Sequence, residues 1–174
     1  MSNERFFIRR GTEKDAILIA TIGARMFEET FGPDNRAEDM AHYIASNFSP
    51  ANIEAELLDP ASTFLLAYKG GTAIGYAKLY DSPTPNCVKG PRPIELARLY
   101  VGQNIIGKGY GSALMKTCLE EVDRTGYETI WLGVWEQNKR AIEFYHKWGF
   151  TTVGSQVFVL GGDVQNDLIM ERSI

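Results

Sequence analysis

The sequence is poor in the residues that staple or metallate a fold. It holds two cysteines, Cys87 and Cys118, in no CxxC or zinc-like spacing. Two free thiols in a reducing compartment are the expectation. The two histidines, His42 and His146, stand far apart and without flanking ligands, too few donors for a zinc site, so no metal is expected. No window approaches the roughly 20 apolar residues of a membrane span. The stretch Phe6-Phe7-Ile8 is too short for the core of a signal peptide. A cytoplasmic location with no membrane partner is therefore expected. Lys and Arg form no run and the net charge is −4, which argues against nucleic acid as a partner.

What is present suits one domain spanning residues 1–174, long enough to bury a core without staples. The composition, 44% hydrophobic and 23% charged, excludes a disordered or fibrous chain. Phe6–Arg10 reads as a strand. Thr12 with Asp15 suits a capping box at the start of a helix running towards Phe27, with Ile19, Ile22 and Met26 at helical spacing. Gly32-Pro33-Asp34-Asn35 is a turn cluster, followed by helices over 37–48 and around 53–58. Strands over 63–68 and 73–80 flank Lys69-Gly70-Gly71-Thr72, a hairpin turn. Residues 81–93 hold four of the seven prolines and read as a loop.

A strand over 94–101 leads to Gly107-Lys108-Gly109-Tyr110-Gly111, where a helix starts. Met115, Cys118, Leu119 and Val122 form its apolar face. Residues 128–135 read as a central strand, apolar on both faces. Asn138 can cap the next helix, with Ala141, Phe144, Tyr145 and Trp148 on one face and Gly149 after its end. Strands over 153–160 and 165–171 join at Gly161-Gly162-Asp163. The expected fold class is α/β, an α+β arrangement around a mixed sheet.

Gly107, Gly109 and Gly111 strip side chains from a helix start. Free amides and the helix dipole make that place a seat for phosphate. Two rival motifs fail. A P-loop needs Ser or Thr after Gly-Lys, whereas Gly109 follows Lys108. A dinucleotide fingerprint needs G-x-G-x-x-G, and the spacing here is G-x-G-x-G.

Gly107 to Leu114 looks like the pyrophosphate loop of the GNAT N-acetyltransferase superfamily. Asn138-x-x-Ala-x-x-Phe-Tyr-x-x-x-Gly-Phe150 resembles that superfamily's last conserved block. Residues 26–31, 38–40, 131–136, Gly161 and 167–170 are similar to PaiA-type spermidine/spermine N-acetyltransferases. One departure stands out: Ile106 occupies the position where the superfamily's loop usually has Gln or Arg.

The resemblance implies a GNAT-like fold, a mostly antiparallel sheet splayed between strands 4 and 5 with helices on both faces. It implies acetyl-CoA as co-substrate in the opening. The backbone of Leu99, Tyr100 and Val101 would meet pantetheine, and a backbone N–H near Leu99 would polarise the thioester. Gly107, Lys108, Gly109, Tyr110, Gly111 and Ser112 would meet the diphosphate. Asn138 and Lys147 are further candidate contacts; an N-cap and a solvated lysine are the alternatives.

Tyr145 is the candidate proton donor to the leaving thiolate, since a phenol stays protonated at neutral pH. Read from spacing alone, it belongs to the apolar face with Phe144 and Trp148. Glu95 is a candidate base; a regular strand sets it on one face with Ala97, Leu99 and Val101. The alternative is an edge carboxylate paired with an arginine such as Arg92. Glu28, Glu29 and Glu136 are candidate contacts for a cationic acceptor, or else a solvated acidic face. The expected partner is a small-molecule amine, a polyamine first, and the expected assembly a monomer or homodimer. Another small amine, a protein N-terminus, or a non-catalytic coenzyme A sensor are the competing readings.

Overall fold

The computed structural model describes residues 4–174. Seven strands are β1 (Phe6–Arg10), β2 (Ser62–Lys69), β3 (Thr72–Tyr80), β4 (Pro93–Val101), β5 (Thr129–Trp135), β6 (Thr151–Leu160) and β7 (Asp163–Ser173). Five helices are α1 (Ala16–Phe31), α2 (Ala37–Asn47), α3 (Pro50–Leu58), α4 (Tyr110–Arg124) and α5 (Lys139–Lys147). All the strands join one mixed sheet in the order β1-β2-β3-β4-β5-β7-β6. Its pairs are antiparallel except β4 with β5. This is the α/β class and the mostly antiparallel sheet expected.

Strand alternation divides the core into two layers. Leu65, Ala67, Ala77 and Leu79 point to one face, where they bury Leu114, Met115, Cys118 and Val122 of α4, with α5 packed alongside. Phe64, Leu66 and Tyr76 point to the other face, against Ile19, Ile22 and Met26 of α1, Met40 of α2 and Ile53 of α3. β5 is buried on both faces through Ile130, Trp131 and Leu132, which fits its place inside the sheet.

The start of β6 and both ends of β7 lie two residues beyond their expected places, and two helix boundaries move further. α1 runs to Phe31 rather than Phe27, adding a turn that carries Thr30 and Phe31. α3 begins at Pro50 rather than Ile53. Ser49 Oγ accepts from Asn52 N–H at 3.2 Å, and Pro50 sits in the first turn, where its missing N–H costs nothing. At the start of α1, the Asp15 carboxylate accepts from Thr12 N–H at 2.8 Å and from the Arg9 guanidinium at 2.7 and 2.8 Å.

The end of α5 bears directly on the site. Gly149 adopts φ +86°, and its N–H bonds to His146 C=O at 3.0 Å. Phe150 N–H bonds to Tyr145 C=O at 3.1 Å, and the Phe150 ring meets the Tyr145 ring at 5.7 Å. This closing motif satisfies the last carbonyls of the helix and clamps Tyr145 by backbone and ring together. Among the described residues no helix is long and apolar enough to cross a membrane.

Gly149→Ala should cost about 1–2 kcal/mol, since an L side chain at positive φ is strained. A urea unfolding midpoint checks this; an unchanged midpoint would mean that the turn relaxes freely.

Candidate active site

The parallel pairing of β4 with β5 covers only three residues, Pro93↔Thr129, Ile94↔Ile130 and Glu95↔Trp131. Beyond these the strands part. β4 stays held by β3 and β5 by β7, so each keeps one paired edge while the facing edges open. A cavity of about 800 Å³ fills the opening and reaches both sides of the sheet. Its register is adjusted by a bulge: Lys78 pairs with Arg98 but Leu79 pairs with Leu96, which leaves Ala97 as the extra residue. Leu96 and Leu99 therefore serve the α4 face, while Arg98 and Tyr100 lie on the α1 side.

On the α4 side the cavity is bordered by Gly107, Gly109, Gly111 and Ser112. Gly107 and Gly109 have φ +82° and +87°, and a Cβ at either would meet nothing within 4 Å. Conformation, not space, demands glycine there. The first helical bond of α4 is Ala113 N–H to Gly109 C=O at 3.0 Å. The amides of Gly109, Tyr110, Gly111 and Ser112 have no protein acceptor among the described residues. Four free donors at a helix start form a cradle for an anion such as a diphosphate. The side chains of Lys108 and Tyr110 do not line the cavity; the Tyr110 ring packs on Phe6 at 5.2 Å, beneath the Lys69 ammonium. Ile106, Arg140 and Lys147 do line it.

Asn138 caps α5, its Oδ1 accepting from Ala141 N–H at 3.3 Å, and also borders the cavity. Tyr145 lines the same cavity, and burial pushes its phenol above the usual range, with Cys118 adding to the effect. The hydroxyl stays protonated at any physiological pH and is available as a donor.

On the α1 side the wall is aromatic. Phe27 touches Phe31 and Tyr43, each at 4.6 Å between centroids, and Phe48 at 5.5 Å; Phe31 meets Trp135 at 6.2 Å. Arg98 enters this wall with its guanidinium 5.1 Å over Phe48, held by Glu56 at 2.8 and 3.1 Å. Lys78 shares Glu56 at 3.1 Å, and burial lowers its ammonium pKa, with the Arg98 charge acting the same way. Asp167 of β7 also faces the cavity. Burial alone pushes its carboxyl up to about 6.

The candidate cofactor contacts Leu99, Tyr100, Val101, Gly107, Gly109, Gly111, Ser112, Asn138 and Lys147 thus come together around one cavity, along with Tyr145. The four candidate carboxylates do not line it. The bulge at Ala97 removes Glu95 from the face of Leu99 and Val101. Glu95 accepts instead from Ser82 Oγ at 2.7 Å, with a pKa raised by burial and opposed by that bond. Glu28 is exposed over Gly32; Glu29 accepts from Gln103 N–H at 3.3 Å. Glu136 accepts from Asn166 Nδ2 at 3.1 Å. The aromatic wall, Arg98 and the place of Asp167 in the cavity wall went unread in the sequence. One usable signal existed: alternation along β7 sets Asp167 on the face of Gln165 and Ile169.

A split mixed sheet, with an amide cradle on one side of the gap and a protonated phenol beside it, is the architecture of an acyl-group transferase. A sequence profile described as the acetyltransferase (GNAT) family matches residues 25–150, and the chain belongs to that family. It is 32% identical over 163 residues to an uncharacterized N-acetyltransferase of Lactobacillus delbrueckii subsp. lactis, covering 94% of each chain. It is 34% identical over 160 residues to an uncharacterized N-acetyltransferase of Mycobacterium tuberculosis, covering 92% of this chain and 98% of that one. The fold matches the PaiA N-acetyltransferase of Thermoplasma acidophilum in complex with coenzyme A, at TM-score 0.78 and 22% identity, covering 98% and 99% of the two chains. It also matches a Salmonella typhimurium putative acetyltransferase with acetyl-CoA, at TM-score 0.69 and 22% identity, covering 97% and 94%.

Glu56→Gln should leave Lys78 and Arg98 as buried cations without their shared carboxylate. A loss of about 3 kcal/mol in unfolding free energy is expected, typical of breaking a buried ion pair. Urea titration checks it, and an unchanged value would show that water solvates both cations.

Proposed function

We propose that this chain transfers the acetyl group of acetyl-CoA to a primary amine by direct attack of the amine on the thioester. The observation that carries the reading is the convergence of the four-amide cradle and the Tyr145 phenol on one cavity in the split sheet. The cradle fits a diphosphate through backbone donors, so Ile106 in place of a polar side chain does not disable it. Tyr145 gives its proton to sulfur as the thiolate leaves. The backbone of β4 along its open edge offers amides to the pantetheine arm and the thioester carbonyl. Cys87 and Cys118 are unpaired, in keeping with a reducing, cytoplasmic setting.

A polyamine such as spermidine or spermine is the second reading. Glu143 in the cavity wall, and Glu136 next to Trp135, are the carboxylates that would meet a polycation's outer ammonium groups. An acceptor screen following free thiol release, with spermidine, spermine, simple monoamines and a peptide N-terminus, decides among the acceptors. Turnover of the peptide alone would sink the small-amine reading, and inertness of every amine despite acetyl-CoA binding would leave a coenzyme sensor.

Acetyl-CoA should raise the melting temperature, because it binds the native state alone. The double variant Gly109→Val with Gly111→Val should lose that shift; a folded variant that keeps it would take the loop out of the site. Tyr145→Phe preserves the ring packing and deletes the hydroxyl. It should lower kcat by about 10²–10⁴-fold with little change in Tm. Wild-type turnover, with chemistry shown to be rate-limiting, would reduce Tyr145 to a packing residue.

A further inference from the structure

Asp167 is set apart from the other carboxylates near the cavity; Glu143, which also lines it without a partner, is exposed to solvent, whereas Asp167 is half-buried. Glu56, Glu95 and Glu136 each have a hydrogen-bonded side-chain partner. The Asp167 carboxylate has no hydrogen bond and no ion pair among the described residues, yet it lines the cavity. It sits on β7 opposite Trp135 of β5 and Gln156 of β6. The space before it is left by Gly133: a Cβ there would lie 3.5 Å from Asp167 Oδ2 and 3.2 Å from Gln156 Nε2. A glycine in the middle of an otherwise bulky strand (Ile130, Trp131, Leu132, Val134, Trp135) marks a place where something else approaches. Around this notch stand Phe27, Phe31, Tyr43, Phe48, Trp135 and Phe158, linked ring to ring.

A half-buried carboxylate without a protein partner is costly unless a ligand supplies the cation. We propose that Asp167 receives the acceptor's ammonium group and takes its proton, and that the acceptor is a primary amine carried on a flat apolar body, as in an arylalkylamine. The assignment rests on the acetyltransferase reading and specifies its acceptor half. Six π faces bind a ring or an alkyl stem and welcome a cation at their edge. The charged and titratable groups around Asp167 are few. Tyr43 of α2 feels its charge; Arg98 of β4 lines the same cavity but is paired with Glu56, which Lys78 shares, and Arg140 and Lys147 of α5 line it too. β5 and β6 present Trp135, Gly133 and Gln156, none of which titrates.

The protons balance as follows. The bound R–NH₃⁺ gives one proton to Asp167, and the freed lone pair forms the C–N bond at the thioester carbonyl carbon. The C–S bond breaks, its electron pair goes to sulfur, and sulfur takes the Tyr145 proton. The second nitrogen proton leaves as the amide forms and restores Tyr145. Asp167 passes its proton to solvent, so that one proton is released per turnover.

The test uses the full chain with acetyl-CoA, 2-phenylethylamine, ethylamine and spermidine. Asp167→Asn should lower kcat/KM for 2-phenylethylamine by about 10²-fold or more, the usual worth of a positioned base. The acetyl-CoA thermal shift should stay unchanged. Wild-type kcat/KM should rise through a limb near the free carboxyl's value of about 6 and then level off. The variant should lack that limb and rise instead towards the amine's own ionisation, near pH 10. Stability should move the opposite way from activity. The folded carboxyl lies above its ordinary 3.8, so the cost of its charge is absent below 3.8, builds up to about 6 and is full above it. Asp167→Asn should therefore hold or raise the Tm at pH 7.5 while activity falls, which loss of a structural contact would not do. For the wild type, 2-phenylethylamine should exceed ethylamine by about 100-fold in kcat/KM. Undiminished turnover of an amine by Asp167→Asn, with its acidic limb intact, would overturn the base assignment alone. Spermidine preferred over 2-phenylethylamine would overturn the apolar-body assignment and favour the polyamine. No turnover of any amine by the wild type would overturn the acetyltransferase reading and this one with it.

Discussion

The site depends on two parallel strands that stop pairing after three residues. Backbone donors and acceptors inside a protein are nearly always satisfied, so an opened sheet is tolerated only where something can enter it. Here the opening is held from outside. β3 grips β4 through Gly75, where a Cβ would come within 2.5 Å of Tyr100 C=O, so that only glycine allows the close approach. β7 grips β5 through seven paired positions. Neither strand needs the other beyond Glu95 and Trp131. The unpaired edges are therefore rigid, and whatever lies between them meets backbone groups already in place.

α5 shows how a short element is made exact enough to carry chemistry. Nine residues form few internal hydrogen bonds, and isolated helices of that length are unstable in water. Both of its ends are tied, the first by a residue that also borders the site. Asn138 caps the start, and the Gly149–Phe150 turn closes the finish around Tyr145. The face between them, with Ala141, Phe144 and Tyr145, packs on the layer built by α4. The phenol is consequently fixed by the same contacts that fold the helix.

Local pattern carried much of this into the sequence. Apolar residues at helical spacing in α1 and α4, and glycines at positive φ around residues 107–111, have causes confined to one short window. The α1 side of the cavity has no such window. Its wall is assembled from α1, α2, β5, β6 and β7, and it needs the extra turn of α1 that brings Phe31 into place. The bulge at Ala97 is equally silent. Leu96-Ala97-Arg98-Leu99 alternates poorly in any register, so nothing in the composition of β4 reveals where one residue is inserted. That single insertion decides which face Glu95 occupies, and it is why a carboxylate read as a base in the cavity lies beside Ser82 instead. Asp167 was written in a strand with regular alternation, but its meaning came from Gly133, 34 positions earlier, across a β5–β7 pairing that no local pattern specifies.

One physical cause acts on both titratable groups that the proposed reaction uses. Apolar walls around the gap take water away from the Tyr145 phenol and from the Asp167 carboxyl, and desolvation favours the neutral form of each. For the phenol this moves the pKa further from neutrality and keeps a proton on the group that must give one. For the carboxyl it moves the pKa towards neutrality, to about 6, which makes a better base of a group otherwise too acidic to hold a proton from an ammonium. The same removal of water thus separates a donor on the α4 side from an acceptor on the α1 side. No ion pair is needed to tune either group. A charged partner for Asp167 would reverse the effect on that side, drawing its pKa down and filling the notch that Gly133 leaves. The isolation of Asp167 from Arg98, whose charge is already engaged by Glu56, is therefore as much a part of the site as the carboxylate itself.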